Sequence, residues 1–395
     1  MKILMINVVC GIRSTGRICT DLAQRLEDKG HTVKIAYGRE FLPKQYEKYA
    51  YRITKDYEVK LDALKSRIFD NAGFNNAAAT RKFIEWVKDY DPDVIHLHNI
   101  HGYYLNVKIL FEYLRTCNKR IVWTMHDCWP FTGHSALCDG IGCDRWVTGC
   151  YSCKQMREYP KALIDRSSRN WSLKRAVFSD VPGLTVVTPS VWLSEQVKRS
   201  FLSGYDIDVI PNGINTDIFY MQESDLRKKY GIENRKILLS AATTWNDLKG
   251  FKDFIELSGK LSGEYVIVLI GVSDKQLKLL PSNIIGIKRT ANQKEMAQWY
   301  CTADWYVNLT YCDTYPTVNV EAVACGTPVI TYKTGGSVES MFGYGRVVPK
   351  GDIEAIISGI AEPYDVDRIG WKAVNQELLD NSYYLNKYID VLTSR

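Results

Sequence analysis

No run in this chain of 395 residues approaches the ~18 consecutive apolar residues that a membrane-spanning helix needs, so no segment reads as a span. Low-complexity tracts are also missing. With 46% hydrophobic and 24% charged residues, the composition is that of a folded globular protein rather than a disordered or fibrous one. Neither half opens with a G-x-G-x-x-G loop, which argues against a nicotinamide-dependent dehydrogenase. The opening MKILMINVVC has its apolar run broken by Asn7, and no small-residue cleavage site follows. It is expected to be a buried first strand rather than a signal peptide, in a cytoplasmic protein.

Cysteine is not scarce. Eleven are present, but in a cytoplasmic protein they are no evidence for disulfides. Four of them, Cys138, Cys143, Cys150 and Cys153, follow the spacing C-x4-C-x6-C-x2-C. Thiolates this close in sequence can converge on one structural zinc ion or pair as a disulfide. A second C-x-x-C is lacking, and reduced, partly buried thiols are the alternative.

The length exceeds what one hydrophobic core supports, so two domains of roughly 200 residues are expected. Charge divides the same way. Residues 1–200 hold 31 Lys and Arg against 21 Asp and Glu, whereas residues 201–395 hold 20 against 24. A basic first half suits a polyanionic or membrane-surface partner, the bland alternative being a solvated surface.

Along the chain, Ile3 to Val9 reads as a strand, CGIRSTG as a turn, and the next segment as an amphipathic helix carrying Leu22, Ala23 and Leu26 that stops at Gly30. His31 to Tyr37 completes a βαβ opening. Residues 42–90 read as a long helical stretch, after which VIHLH, RIVWTMH and LTVVTPS look like buried parallel strands. From residue 236 a second alternation of strands and helices begins, with the turn formers Pro211, Asn212 and Gly213 marking the crossover. Two doubly wound α/β sheets facing across a cleft are expected, with ligands outside the carboxyl ends of the strands.

The densest constellation is TYCDTYPTVNVEAVACG, residues 310–326. It follows the strand WYVNLT and opens a helix beside Pro316 that Gly326 can cap. The first-turn amides of Thr317 and Val318 would point at a diphosphate, favoured by the positive end of the helix dipole. Asp313 lies in the preceding loop and Glu321 eight residues later, a carboxylate pair suited to recognising hydroxyls. Asp91-Pro92-Asp93 formally spells D-x-D, but it precedes a strand in the other half and reads as a turn.

These residues resemble the retaining family-4 glycosyltransferases of the GT-B fold. Their pattern of two acids separated by seven residues, followed by a helix and a Gly-Thr-Pro segment, is matched by Asp313, Glu321 and Ala324-Cys325-Gly326-Thr327-Pro328-Val329-Ile330. The first acid is a shortened Asp here where the family has Glu. The resemblance implies that Glu321 contacts the donor ribose and that Asp313 and the loop Tyr315-Pro316-Thr317-Val318 lie beside the transferred sugar and its phosphates. Lys249, before Gly250, matches the family's diphosphate-binding Lys, while Thr244 stands where an Arg is expected. His126, which ends RIVWTMH, matches a His that contacts the donor sugar, and Gly16 matches the glycine loop after the first strand. Arg289, at the end of NIIGIKR, is placed near the base. His96, His98 and His101 carry no assigned role.

HDCWPFTGHSALCDGIGCDRW and HNIHGYYLN look like a subgroup of these enzymes that builds bacterial exopolysaccharide, O-antigen and colanic-acid-type units. The resemblance implies a metal-independent, retaining transfer of a hexose from a nucleoside diphosphate sugar, UDP-linked by expectation, to a hydroxyl of a polyprenyl-linked oligosaccharide. No cofactor is implied for catalysis. The expected partners are the nucleotide sugar, the lipid-linked acceptor and the inner face of the cell membrane, with no nucleic acid. Expected domains are an acceptor-side domain over 1–205, a nucleotide-sugar domain over 206–377, and a helix over 378–395 returning to the first. A nucleotide-sugar epimerase of the same fold and a non-catalytic sugar- or lipid-binding module are the competing readings.

Overall fold

A computed structural model describes residues 1–364 and 377–394. The β-branched runs become the interior strands of two wholly parallel sheets. The first contains β1 (Lys2–Asn7), β2 (Thr32–Tyr37), β3 (Ala50–Arg52), β4 (Val94–Leu97), β5 (Arg120–Thr124), β6 (Leu184–Thr188) and β7 (Asp206–Val209). Their order across the sheet is β3-β2-β1-β4-β5-β6-β7. The second contains β8 (Lys236–Ala241), β9 (Tyr265–Ile270), β10 (Ile284–Ile287), β11 (Trp305–Asn308), β12 (Val329–Tyr332) and β13 (Gly345–Val348), in the order β10-β9-β8-β11-β12-β13.

Both orders reverse direction once, between β1 and β4 in one sheet and between β8 and β11 in the other. At such a switch the loops leaving the two strands diverge and leave a crevice at the carboxyl edge. Crossover helices cover both faces, so central strands are apolar throughout, as in YVIVLI of β9, where every residue is buried. The edge strands differ. β3 has three residues, and β7 alternates exposed Asp206 and Asp208 with half-buried Ile207 and Val209. A short or charged edge discourages pairing with another chain.

Contacts gather Met1–Ile210 with Leu385–Arg395 into one unit and Pro211–Tyr384 into the other. The division after Ile210, rather than after residue 205, reflects the charged strand β7, which belongs to the first sheet. Residues 378–384 group with the second unit, and the last helix, Asn381–Thr393, spans the division. The stretch 42–90 is broken into two helices, Asp56–Phe69 and Ala77–Tyr90, with Asp70 in the left-handed region ending the first. Asp91 caps the second in the same conformation and pairs with Lys119, while Asp93 accepts from the Lys2 amide at 2.7 Å. The D-x-D residues are thus consumed by the turn into β4.

In the second unit the helix Thr317–Ala324 is locked from beneath by Asn319, which is fully buried. Its Oδ1 accepts from Asn308 Nδ2 at 2.8 Å, and its Nδ2 donates to Ser337 O at 3.1 Å and Ser340 Oγ at 3.0 Å. Asn319→Leu would leave Asn308 Nδ2 without its acceptor while Ser340 Oγ still donates to Ser337 O, a loss of about 1–3 kcal/mol. The expected result in urea denaturation is a lower midpoint with an unchanged slope; a midpoint equal to wild type would show that the network does not hold the helix.

Candidate functional site

Three loops at the carboxyl edge of the second sheet are stitched together at the switch point. The loop after β8 turns through Gly250, whose φ of +73° suits glycine, and a Cβ there would meet Leu309 O at 2.4 Å. This close approach lets Tyr311 N donate to Leu248 O at 2.8 Å. The loop after β12 joins through Thr334 Oγ1, which donates to Tyr311 O at 2.8 Å, and through Gly336 N, which donates to Asp313 O at 3.0 Å.

The frame brings Lys249 and Asp313 together across 64 residues of sequence. Lys249 Nζ donates to Asp313 Oδ2 at 2.7 Å and to Thr310 Oγ1 at 3.3 Å, and Tyr315 N donates to Asp313 Oδ1 at 3.3 Å. Both side chains remain partly exposed, so the pair contributes only about 0–1 kcal/mol to stability, a modest barrier to an incoming anion. Thr310 carried no sequence assignment, although a hydroxyl two residues past a central strand is the available signal.

Beyond this pair, Pro316 begins the helix Thr317–Ala324 without any side-chain cap. The amides of Thr317 and Val318 fall in its first turn, where an α-helix supplies no internal acceptor. At the other end Gly326, with φ +76°, stops the helix as expected. Glu321, one turn in, accepts from Tyr300 OH at 2.8 Å. Tyr300 is fully buried; burial, and next the charge of Glu321, push its hydroxyl pKa well up, which keeps it a donor. Tyr300 was not legible beforehand because it comes from the preceding helix. Arg289 lies exposed just beyond β10, two strands from β8, and is not brought to this cluster.

The first unit holds a separate polar cluster at the ends of β4 and β5. His98 Nδ1 and His126 Nε2 are 3.0 Å apart with nearly parallel rings, and His96 Nε2 meets Thr124 Oγ1 at 2.8 Å. Burial lowers His126 to about 4 against the pull of Asp127, lowers His96 to about 3, and holds His98 well below the ordinary histidine value. His126 is therefore a neutral imidazole near pH 7, able to donate from one nitrogen and accept at the other. Its neighbour Asp127 receives His101 Nε2 at 2.8 Å and the Trp129 amide at 2.9 Å. Lys174, fully buried, donates to Trp129 O at 2.7 Å and Thr132 O at 2.9 Å, bracing the loop that follows.

One sequence expectation needs correction. Gly16 lies inside the first turns of the helix Arg13–Asp28, packed on Val9, and Gly11, with φ +72°, is the loop glycine. The helix begins earlier than its Gly suggested because Gly16 O accepts the Gly11 amide at 3.1 Å and closes the turn. For the four clustered cysteines, the arrangement matches the alternative of reduced, partly buried thiols rather than a staple. Cys138, Cys143, Cys150 and Cys153 form no disulfide with one another, and among the described residues no group of three or more candidate ligands is arranged to hold a metal. Cys138 turns into the core, with its Sγ 2.7 Å from that of Cys128, while Cys143, Cys150 and Cys153 line a surface pocket.

Two wholly parallel, doubly wound sheets in one chain, each with a single switch point, are the architecture of the GT-B glycosyltransferases. The family model for Glycosyltransferase Family 4 matches residues 15–218, and that for Glycosyl transferases group 1 matches residues 235–365. The chain belongs to glycosyltransferase family 4. It is 26% identical to a candidate colanic acid biosynthesis glycosyl transferase of Escherichia coli K12, over 84% of this chain and 82% of that one. It is 29% identical to a candidate teichuronic acid biosynthesis glycosyltransferase of Bacillus subtilis 168, over 54% of this chain and 53% of that one. The solved structure of Anabaena HepE in complex with UDP-glucose shares the fold, with a TM-score of 0.65 over the full length of both chains at 15% identity.

The buried histidines make the first unit acid-sensitive. Their folded values lie below the ordinary 6.5, so the unfolded chain takes up protons first as pH falls, and stability present above 6.5 is lost toward pH 4. Each pH unit in that window costs on the order of 1.4 kcal/mol per histidine. Denaturant titrations at pH 7 and pH 5 should show this loss in wild type and a smaller one in His96→Gln; equal losses would refute the assignment.

Proposed function

We propose that the chain transfers a hexose, with retained anomeric configuration and without a metal ion, from a UDP-linked sugar to a hydroxyl of a polyprenyl-linked oligosaccharide in bacterial surface polysaccharide synthesis. The observation that carries this reading is the Lys249–Asp313 pair beside the uncapped helix Thr317–Ala324, at the β8/β11 switch. An ammonium and a helix N-terminus together suit a diphosphate, and they stabilise the charge that develops on it as the glycosidic bond breaks.

On this reading the diphosphate displaces Asp313 from Lys249, and Asp313 turns to the sugar hydroxyls. Glu321, steadied by Tyr300, accepts from the ribose hydroxyls. Arg289 lies two strand spacings from β8, about 10 Å, a span that a nucleoside bridges. His126 is assigned to the donor sugar and Gly11, in place of Gly16, to the loop after β1. Attack from the face that the phosphate leaves, with a phosphate oxygen taking the acceptor's proton, gives retention without an enzymic nucleophile.

UDP-glucose bound to HepE supports the donor, and the surface-polymer names of the two bacterial relatives support the acceptor class. The basic first half supports an anionic, membrane-side acceptor. Among the described residues no helix is long and apolar enough to cross a membrane.

Glu321→Ala removes a charged hydrogen-bond acceptor, for which losses of roughly 1.5–3 kcal/mol are usual. Binding of UDP should weaken about 10- to 100-fold, and transfer from UDP-hexose should fall at least as far, while EDTA leaves the wild-type rate unchanged. Full activity in this variant would remove Glu321 from the donor site.

A further inference from the structure

Helices in the first unit bury their apolar stripe. Val107–Leu114 hides Val107, Leu110, Phe111 and Leu114, and Ala77–Tyr90 hides Phe83, Ile84 and Val87. The helix Asp56–Phe69 does the reverse. Its buried residues are Asp62 and Ser66, whereas Tyr57, Leu61 and Leu64 are 63%, 49% and 56% exposed. Spacings of four and three residues put those three side chains on one face, and Ile68 continues the stripe.

The inverted orientation is anchored by a polar network. Asp62 Oδ1 accepts from Ser66 Oγ at 2.9 Å and from Asn75 Nδ2 at 2.8 Å, and Oδ2 accepts from Asn76 Nδ2 at 2.7 Å. Rotating the helix to bury its leucines would break every one of these bonds. The apolar face also extends past the helix. Leu163 N donates to Arg67 O at 2.8 Å and Ile164 N to Ile68 O at 3.3 Å, which lays exposed Leu163 and Ile164 beside exposed Phe69. Single exposed apolar residues are ordinary, but a contiguous group marks an interaction surface.

Charge identifies the partner. Helical position places Lys60 and Arg67 on one flank of the stripe and Lys65 on the other, and Lys161 stands next to the Leu163 end; all four are exposed. Three acids lie nearby: Asp56 pairs with Arg52, Glu58 accepts the Lys55 amide at the start of the helix, and Asp165 accepts the amides of Cys153 and Ser167. An apolar stripe with cations on both flanks fits an anionic bilayer, whose acyl boundary takes the leucines while its phosphates meet the ammonium and guanidinium groups.

We propose that the helix Asp56–Phe69, with Leu163 and Ile164, docks the protein onto anionic lipid. The inference deepens the reading of a lipid-linked acceptor, and it requires lipid binding without donor or acceptor. Co-sedimentation of the full chain with phosphatidylcholine vesicles containing phosphatidylglycerol should show binding that falls with added salt and is weak on phosphatidylcholine alone. Leu61→Asp with Leu64→Asp should weaken it about tenfold or more, with UDP affinity unchanged as proof of folding. Lys60→Glu with Lys65→Glu keeps the leucines and should also lose anionic binding. Vesicle binding that survives both double variants, or a wild-type chain that self-associates through this face and ignores vesicles, would overturn the proposal. Loss of transfer with intact vesicle binding would instead fault the function reading alone.

Discussion

The ion pair between Lys249 and Asp313 is the constraint on which the second unit's site depends. It requires β8 and β11 to be neighbours although 63 residues separate the end of one from the start of the other, and only the strand reversal makes them so. Glycine at 250 then lets the first loop reach the second, and Gly335, whose Cβ would lie 1.9 Å from Asp313 O, lets the third loop close over it. Removing either glycine would separate the charges. A weak, partly exposed pair is appropriate at a ligand site, because it keeps a cation in place without making its release costly.

The first unit uses a different principle. At the ends of β4 and β5 burial keeps His96, His98 and His126 uncharged, so the polarity that His126 offers is that of a neutral ring. Such a group can recognise a hydroxyl without repelling or trapping a charge. The brace from Lys174 to the backbone of Trp129 and Thr132 shapes the loop immediately after it.

Much of this was legible in the residues. Apolar runs marked the central strands, since strands buried on both faces carry no polar alternation. Pro316 and Gly326 bounded the helix, Asp313 and Glu321 stood out by type and spacing, and Lys249 stood out only through the family resemblance. What sequence order concealed was pairing. Nothing local indicates that Lys249 meets Asp313, that Tyr300 holds Glu321, or that Cys138 turns to Cys128. The edge strands β3, β7 and β13 were missed because they are short or carry charge. The inverted helix was hidden because Asn75 and Asn76, which hold Asp62, come after the helix ends.

The central claim is that the second unit holds a nucleoside diphosphate through Lys249. Calorimetric titration of UDP and of uridine into wild type and Lys249→Met tests it most directly. The account predicts that the variant loses on the order of tenfold or more in UDP affinity, the worth of a charge-assisted contact to phosphate, with uridine affinity unchanged. Wild-type affinity for UDP in Lys249→Met, or an equal loss for uridine, would contradict it.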